Sequence, residues 1–229
     1  SPPISSMKAI HDLGGMHGFG PIKMDSVQFH ERWEQEVFVI NKIIQLHGIY
    51  KVDEKRHASE RIPPLRYLQL SYFEKWLDSI EMLLIEKGVL TKEDIDSRRE
   101  SLSLDAQQIE SKSDSNLTTK VLDSFKKDKL KEVESVKNNF HIGDKVVVNS
   151  NNEFGHCRAP AYAQKSTGTI EKVFGTFPLP DAIVRGEYLA EPVYKVRFSA
   201  QELWGDSYPD NDSITLDLWE SYLSPSSIS

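Results

Sequence analysis

The sequence predicts an α+β chain: an N-terminal arm and a helical domain, followed by a small five-stranded β-barrel. Three observations carry that reading. Apolar residues recur at spacings of three and four between Phe29 and Leu84, the period of helices with one buried face. From Ser101 to Asn139 apolar residues thin out and Ser, Asp, Lys and Glu dominate, as in a solvated linker. Beyond Phe140, short runs rich in β-branched and aromatic residues alternate with Gly, Pro and Asp clusters, the punctuation of a small barrel. The divisions fall at 1–27 for an extended arm, 28–100 for the helical domain, 101–139 for a partly helical linker and 140–229 for the barrel.

The arm from Met7 to Pro21 is too glycine-rich for a helix. Ile10, Leu13, Met16 and Phe19 give it apolar pegs, so it is expected to lie on a partner chain. The first helix runs between Gln28 and Leu46, carries Phe29, Trp33, Val37, Ile40, Ile43 and Ile44 on one face, and closes at Gly48. A second starts after Val52 with Asp53 as N-cap, presents Arg56, His57, Glu60 and Arg61, and stops at Pro63-Pro64. A third is expected over about Arg66 to Lys87, with Phe73, Trp76, Leu77, Ile80, Leu83 and Leu84 on one side and Gly88 at its end. Thr91 opens a fourth: Thr91 and Asp94 read as a capping pair, Leu90 and Ile95 as a hydrophobic staple. The linker admits one charged helix near Val121 to Val136. Strands are expected at Val146 to Val148, Thr169 to Val173, Val193 to Phe198 and Ser213 to Leu218, and no internal repeat is present.

Composition narrows the function. The 229 residues carry a formal charge of -7, against the basic stripe that displaces counterions from phosphates in nucleic-acid binders. One cysteine permits no internal disulfide and no thiolate zinc site, which fits a reducing compartment, the cytoplasm. The first thirty residues hold no apolar segment of the kind a secretory signal or membrane span requires. No nucleophile elbow, phosphate-cradling glycine loop or paired metal-spaced histidines occur. His156 beside Cys157 invites a nucleophile pair, but neighbours in extended chain point to opposite faces, and a free cysteine is more often a small buried packer. His11 and His17 on a glycine-rich arm read as solvated turn histidines rather than a metal site.

Arg56 and Arg158 carry the functional signal. Arg158 stands in Gly155-His156-Cys157-Arg158-Ala159-Pro160, on a loop between two barrel strands. There a guanidinium offers a rigid fork of donors to an oxyanion outside the chain. Arg56 lies one helical turn before Glu60, which would orient it; the plainer alternative is a surface ion pair worth roughly 0.3–0.5 kcal/mol. Tyr72 and Trp76 share a helix face and either wall a pocket or pack the core; spacing leaves both open.

The chain from Met7 to Leu223 resembles the β subunit of nitrile hydratase. The resemblance rests on ordered blocks: Ile10-His11-Asp12-Leu13-Gly14-Gly15-Met16-His17-Gly18-Phe19-Gly20-Pro21, then Val52-Asp53-Glu54-Lys55-Arg56-His57 with Glu60-Arg61, and Tyr72-Phe73-Glu74-Lys75-Trp76 followed by Glu86-Lys87-Gly88-Val89-Leu90-Thr91. Gly155-His156-Cys157-Arg158-Ala159-Pro160, Phe198 to Asp206 and Asp217-Leu218-Trp219-Glu220-Ser221-Tyr222-Leu223 complete them. The linker has little similarity, and Lys75 and Phe73 depart from residues common in the family.

The resemblance implies an SH3-like β-barrel and a partner, the α subunit, in an αβ heterodimer or its α2β2 dimer, with no nucleic acid or membrane involved. That partner would hold a non-corrin Co(III) or a low-spin Fe(III) in a claw of thiolates and amidates, two of its cysteines being oxidised to sulfinate and sulfenate. Trp76 leans the choice toward cobalt. Oxyanions buried at an interface need donors; by motif these are Arg56 and Arg158, with Glu60 and His156 behind them as orienting groups. Val52, Tyr72 and Trp76 fall where the family lines the substrate pocket. The implied reaction adds water to a nitrile to give an amide, with the metal as Lewis acid and the nucleophile, sulfenate or metal-held water, left open. Two alternatives belong to the same resemblance: a metallochaperone-like activator, disfavoured by a complete barrel with Arg158, and a thiocyanate hydrolase-like subunit, disfavoured by an unbroken chain.

Overall fold

The computed structural model describes residues 10–16, 18–21, 24, 27–104, 114–126, 133–150, 155–209 and 211–226. The chain separates into two compact units: the described parts of Ser1–Lys23 with Leu130–Ser229, and those of Met24–Lys129.

The helical unit contains α1 (Arg32–Leu46), α2 (Val52–Glu60), α3 (Pro64–Gln69), α4 (Tyr72–Glu86), α5 (Lys92–Leu104) and α6 (Ser115–Lys126). Its core gathers Val37, Tyr50, Ala58, Phe73, Ile80 and Leu83, the apolar stripes of α1 and α4 closing over the small residue of α2. Tyr50 is fully buried and its hydroxyl donates to Asn41 Oδ1 at 2.9 Å. Gly48 and Gly88 adopt positive φ just beyond α1 and α4, where a side chain would be strained and glycine ends the helix. Thr91 and Asp94 cap α5 reciprocally, at 2.8 and 3.1 Å.

Two helix expectations need correction. The single third helix is two, α3 and α4, because Ser71 restarts the chain. Its hydroxyl accepts the Glu74 N–H at 3.4 Å, and the Glu74 carboxylate accepts the Ser71 N–H at 2.7 Å. The charged helix expected to reach Val136 ends at Lys126. Residues 127–132 lie outside the described set. Val133 and Val136 donate to the carbonyl and hydroxyl of Thr176 at 3.1 and 2.9 Å, so their N–H groups serve the sheet instead of a helix.

The C-terminal unit is built on β1 (Lys145–Val148), β2 (Thr167–Pro178), β3 (Ala190–Ser199), β4 (Ser213–Trp219) and β5 (Leu223–Pro225), with short helices α7 (Pro180–Val184) and α8 (Ala200–Trp204). The sheet is antiparallel in the order β4-β3-β2-β1-β5. Register shifts between Ile170 and Lys172 and between Val173 and Gly175 bend β2 against β3. Val146, Val148, Ile170, Tyr194, Val196, Phe198 and Leu218 fill the core. Among the described residues the ladder does not close into a barrel: β4 and β5 end the order at opposite edges. They are consecutive, joined by the 3-10 turn Glu220–Tyr222, and β5 is only three residues long.

The arm docks within its own chain. Asp12 accepts the Ala161 N–H through both carboxylate oxygens at 3.1 and 3.2 Å. Gly14 and Gly15 lie so close to Tyr162 and Trp204 that an added Cβ would stand 2.7 Å from the tyrosine ring and 3.1 Å from the indole nitrogen. Phe19, by contrast, is 61% exposed.

Candidate functional site

In the helical unit, α2 is a polar helix tied to α4 at several points. Arg61 makes a two-pronged pair with Glu86 at 2.6 and 2.9 Å, Lys87 reaches Glu54 at 2.5 Å, and the hydroxyls of Ser59 and the fully buried Ser79 meet at 2.6 Å. These contacts fix which side of α2 faces outward, and Arg56 is on it. Its side chain is about half exposed, and Nη1 donates to Oδ1 of the buried Asp53 at 2.8 Å. Asp53, one turn earlier, holds the guanidinium, whereas Glu60 lies 3.4 Å from Nδ1 of His57. The expected N-cap also shifts: Lys51 caps α2 and Asp53 lies in its first turn, where the i, i+3 spacing to Arg56 is the signal for its contact. Asp53 engages one of the five guanidinium donors.

Tyr72 and Trp76 share a helix face but differ in exposure. Tyr72 is 64% exposed, while Trp76 is half-buried against the core cluster. Their rings are 5.6 Å apart, and Trp76 also meets Phe73 and Phe38 at 5.6 and 5.9 Å. Val52 is exposed at the first turn of α2.

In the C-terminal unit, the stretch from Gly155 carries a buried His156, a half-buried Cys157, an exposed Arg158 and a buried Ala159. The alternation plants the loop by His156 and Ala159 and turns Arg158 outward. Among the described residues, no hydrogen bond or ion pair engages the Arg158 guanidinium. Its backbone is held instead: the Arg158 N–H donates to the Tyr222 hydroxyl at 3.3 Å, and that hydroxyl donates to the Asp181 carboxylate at the start of α7. Burial pushes the Asp181 carboxyl above the ordinary aspartate value, opposed by the Tyr222 bond and by His156. Burial, reinforced by Asp181, drives the Tyr222 phenol above the usual tyrosine range. The Cys157 thiol turns to the Ala159 carbonyl at 3.9 Å. Of the arm histidines, His11 sits half-buried in a turn and His17 lies outside the described residues.

The remaining blocks build the support. Ser199 caps α8 by accepting the Glu202 N–H at 3.2 Å, and Glu202 accepts the Thr167 N–H at 2.6 Å, locking the start of β2. Trp219 donates to the Pro178 carbonyl at 3.1 Å and so fixes the chain just before Tyr222. The roles of Tyr222 and Asp181 escaped the sequence reading because their meeting is set by tertiary structure alone.

Comparison with known proteins agrees with these blocks. Residues 7–123 match the family described as nitrile hydratase beta subunit, N-terminal, and residues 129–225 that described as nitrile hydratase beta subunit, C-terminal. The nitrile hydratase subunit beta of Pseudomonas putida is 34% identical over 223 residues, covering 96% of this chain and 100% of that one. The low-molecular weight cobalt-containing nitrile hydratase subunit beta of Rhodococcus rhodochrous is likewise 34% identical, over 234 residues, with the same coverage. The cobalt-containing subunit of Pseudonocardia thermophila is 29% identical, covering 95% of this chain and 96% of that one. Among solved structures, a recombinant thiocyanate hydrolase apo-enzyme from Thiobacillus thioparus overlays 51% of this chain and 100% of its own at a TM-score of 0.40 and 21% identity, a likeness too loose to weigh. The matched residues span both units and nearly the whole sequence: the chain belongs to the nitrile hydratase beta subunit family.

Proposed function

We propose that this chain is the non-metal-binding half of a nitrile hydratase, a hydro-lyase, and completes a site whose trivalent metal, cobalt by preference over iron, is held by an α-subunit partner. The observation that carries this reading is the pair of outward arginines, each fixed within its own unit by one acceptor and retaining free donors. The donor set fits the group in a particular way. A single half-buried cysteine cannot form a thiolate claw, whereas two guanidinium forks suit the oxyanions of oxidised thiolate ligands. When bound by the partner, the metal supplies Lewis-acid activation of the nitrile.

The residues of this chain then divide the work. Arg56 and Arg158 donate to the oxidised sulfur oxygens and hold their charge in place. His156, buried beneath the loop, and Glu60, beside His57, support the strands of chain that present them. Val52, Tyr72 and Trp76 exclude water from the bound nitrile. The exposed apolar set of Leu65, Leu68, Tyr72 and Val52 supports an obligate interface above ~2,000 Å². Phe19 and Met24, 61% and 96% exposed, are left to embrace the partner beyond the arm's intrachain anchor. The curled, bulged sheet with a 3-10 turn before its last strand supports an SH3-like module. Among the described residues no helix is long and apolar enough to cross a membrane, and one cysteine fits a cytoplasmic setting.

The test is co-expression with the partner, followed by measurement of amide formation and metal content. Arg56→Lys and Arg158→Lys replace a planar fork with a point charge. Losing a donor to a buried oxyanion costs ~2–5 kcal/mol, so each should cut turnover strongly while the helical signal is retained. Near-native turnover in both, with metal bound, would sink the assignment.

A further inference from the structure

Lys55 is the anomaly of α2. It is only 7% exposed, yet no carboxylate or carbonyl meets its ammonium among the described residues. The contact it makes is with Trp76, whose ring centroid lies 3.5 Å from Nζ. The other charges of the two helices have partners elsewhere. On α2, Asp53 is with Arg56, Glu54 with Lys87, and Glu60 lies by His57. On α4, Glu74 caps Ser71, Lys75 covers the Tyr67 ring, Asp78 pairs with Arg66, Glu81 with Arg99 and Glu86 with Arg61. A buried cation without a counter-ion is retained at a cost, and a desolvated cation over an indole face is among the stronger contacts of its kind.

We infer that Lys55 is a positioning residue which clamps the Trp76 indole, by its ammonium on the ring face, in the orientation that receives the nitrile. The clamp rests on the reading of Trp76 as a pocket wall. Burial pushes the Lys55 amine down to about 7, and the neighbouring Arg56 charge acts in the same direction, so the clamp weakens as pH rises through neutrality. Orientation of a wall residue acts on substrate binding first, so the effect belongs in KM more than in kcat.

The test uses the co-expressed complex with Lys55→Met, which keeps the length of the side chain and removes the charge. Removing the charge relieves its desolvation cost and offsets the lost ring contact, so the variant should melt close to the parent. Its KM for a nitrile should rise about three- to ten-fold with kcat within about two-fold. The independent readout is the Trp76 fluorescence, isolated as the difference from Trp76→Phe. In the parent it should pass through one step near pH 7, and in Lys55→Met that step should vanish. A step that persists in Lys55→Met, or no step in the parent, overturns the clamp. A vanished step with KM unchanged in Lys55→Met but raised in Trp76→Phe shows that the wall does not need the clamp, and overturns it too. If KM moves in neither variant, the pocket assignment of Trp76 falls, and the inference falls with it.

Discussion

Tyr222→Phe isolates the device that presents Arg158. The change removes one oxygen from a side chain that is 6% exposed and leaves its packing against Trp219, 6.1 Å away, in place. Two hydrogen bonds disappear: the donation to Asp181 and the acceptance of the Arg158 N–H at 3.3 Å. The first engages a carboxylate, worth ~1.5–3 kcal/mol; the second is long, neutral and beside an exposed residue, worth ~0.5 kcal/mol. Asp181 is only partly buried, and water replaces some of what is lost, so a net destabilisation of about 2 kcal/mol is expected at neutral pH.

The loss should depend on pH, with a definite sign. The folded Asp181 carboxyl lies above its ordinary value because of burial, and the Tyr222 bond is the largest of the influences that restrain it. A raised carboxyl contributes stability that is full below the unfolded value and lost as pH rises through the folded one. Without Tyr222 the folded value climbs further, so the added loss is largest at neutral pH and shrinks once Asp181 is protonated. Urea unfolding of the complex, parent and variant, at neutral pH and near the ordinary aspartate range reads this directly. Amide formation should fall at the same time, because the loop no longer fixes Arg158. Equal destabilisation at both pH values, or none at either, would refute the coupling of Asp181, Tyr222 and the Arg158 backbone.

Asp12→Ala should release the arm from the C-terminal unit: loss of a carboxylate acceptor for the Ala161 N–H costs ~1–3 kcal/mol locally, read as faster proteolysis near Gly14 and Gly15 with the sheet intact. Gly168→Ala should damage the sheet itself, because the new Cβ would stand 2.5 Å from the Val196 side chain and 2.9 Å from the Arg197 carbonyl. The backbone contact cannot yield cheaply, so ~3 kcal/mol or more is expected, and an unchanged unfolding midpoint would contradict the packing.

The helical unit was legible where periodicity speaks. The face of Phe73, Ile80 and Leu83 is buried, and the Thr91–Asp94 cap sits where it was placed. The break at Ser71 was hidden because apolar residues continue through Leu65, Leu68 and Leu70, although Ser71 and Glu74 form the capping box that marks a restart. Sheet strands were found but cut short: β2 runs on to Pro178 because its register shifts carry it past Val173, and three-residue β5 left no periodic trace. At the site, Arg56 and Arg158 were legible as residue types in a pattern. Their holders Asp53, Tyr222 and Asp181 were not read as such. Lys55 was invisible, since nothing in a polar helix announces which lysine is turned inward.

The two arginines are held by different means, and under the proposed role the difference would have consequences. Arg56 is held through its guanidinium: Asp53 takes one donor and sets the plane of the fork. A regular helix fixes the backbone beneath it, so loss of Asp53 would free the side chain and leave α2 unmoved. Arg158 is held through its main chain, and among the described residues no hydrogen bond or ion pair engages its guanidinium. Its loop leans on buried His156 and Ala159 together with the Tyr222 hydroxyl. Disturbing that support moves the whole presentation of the residue, whereas disturbing Asp53 alters only its aim. In the proposed role, an oxyanion bound by Arg158 would meet a fork whose own orientation comes largely from the ligand. One gripped by Arg56 meets a fork already aimed, and less ordering entropy remains to oppose binding there.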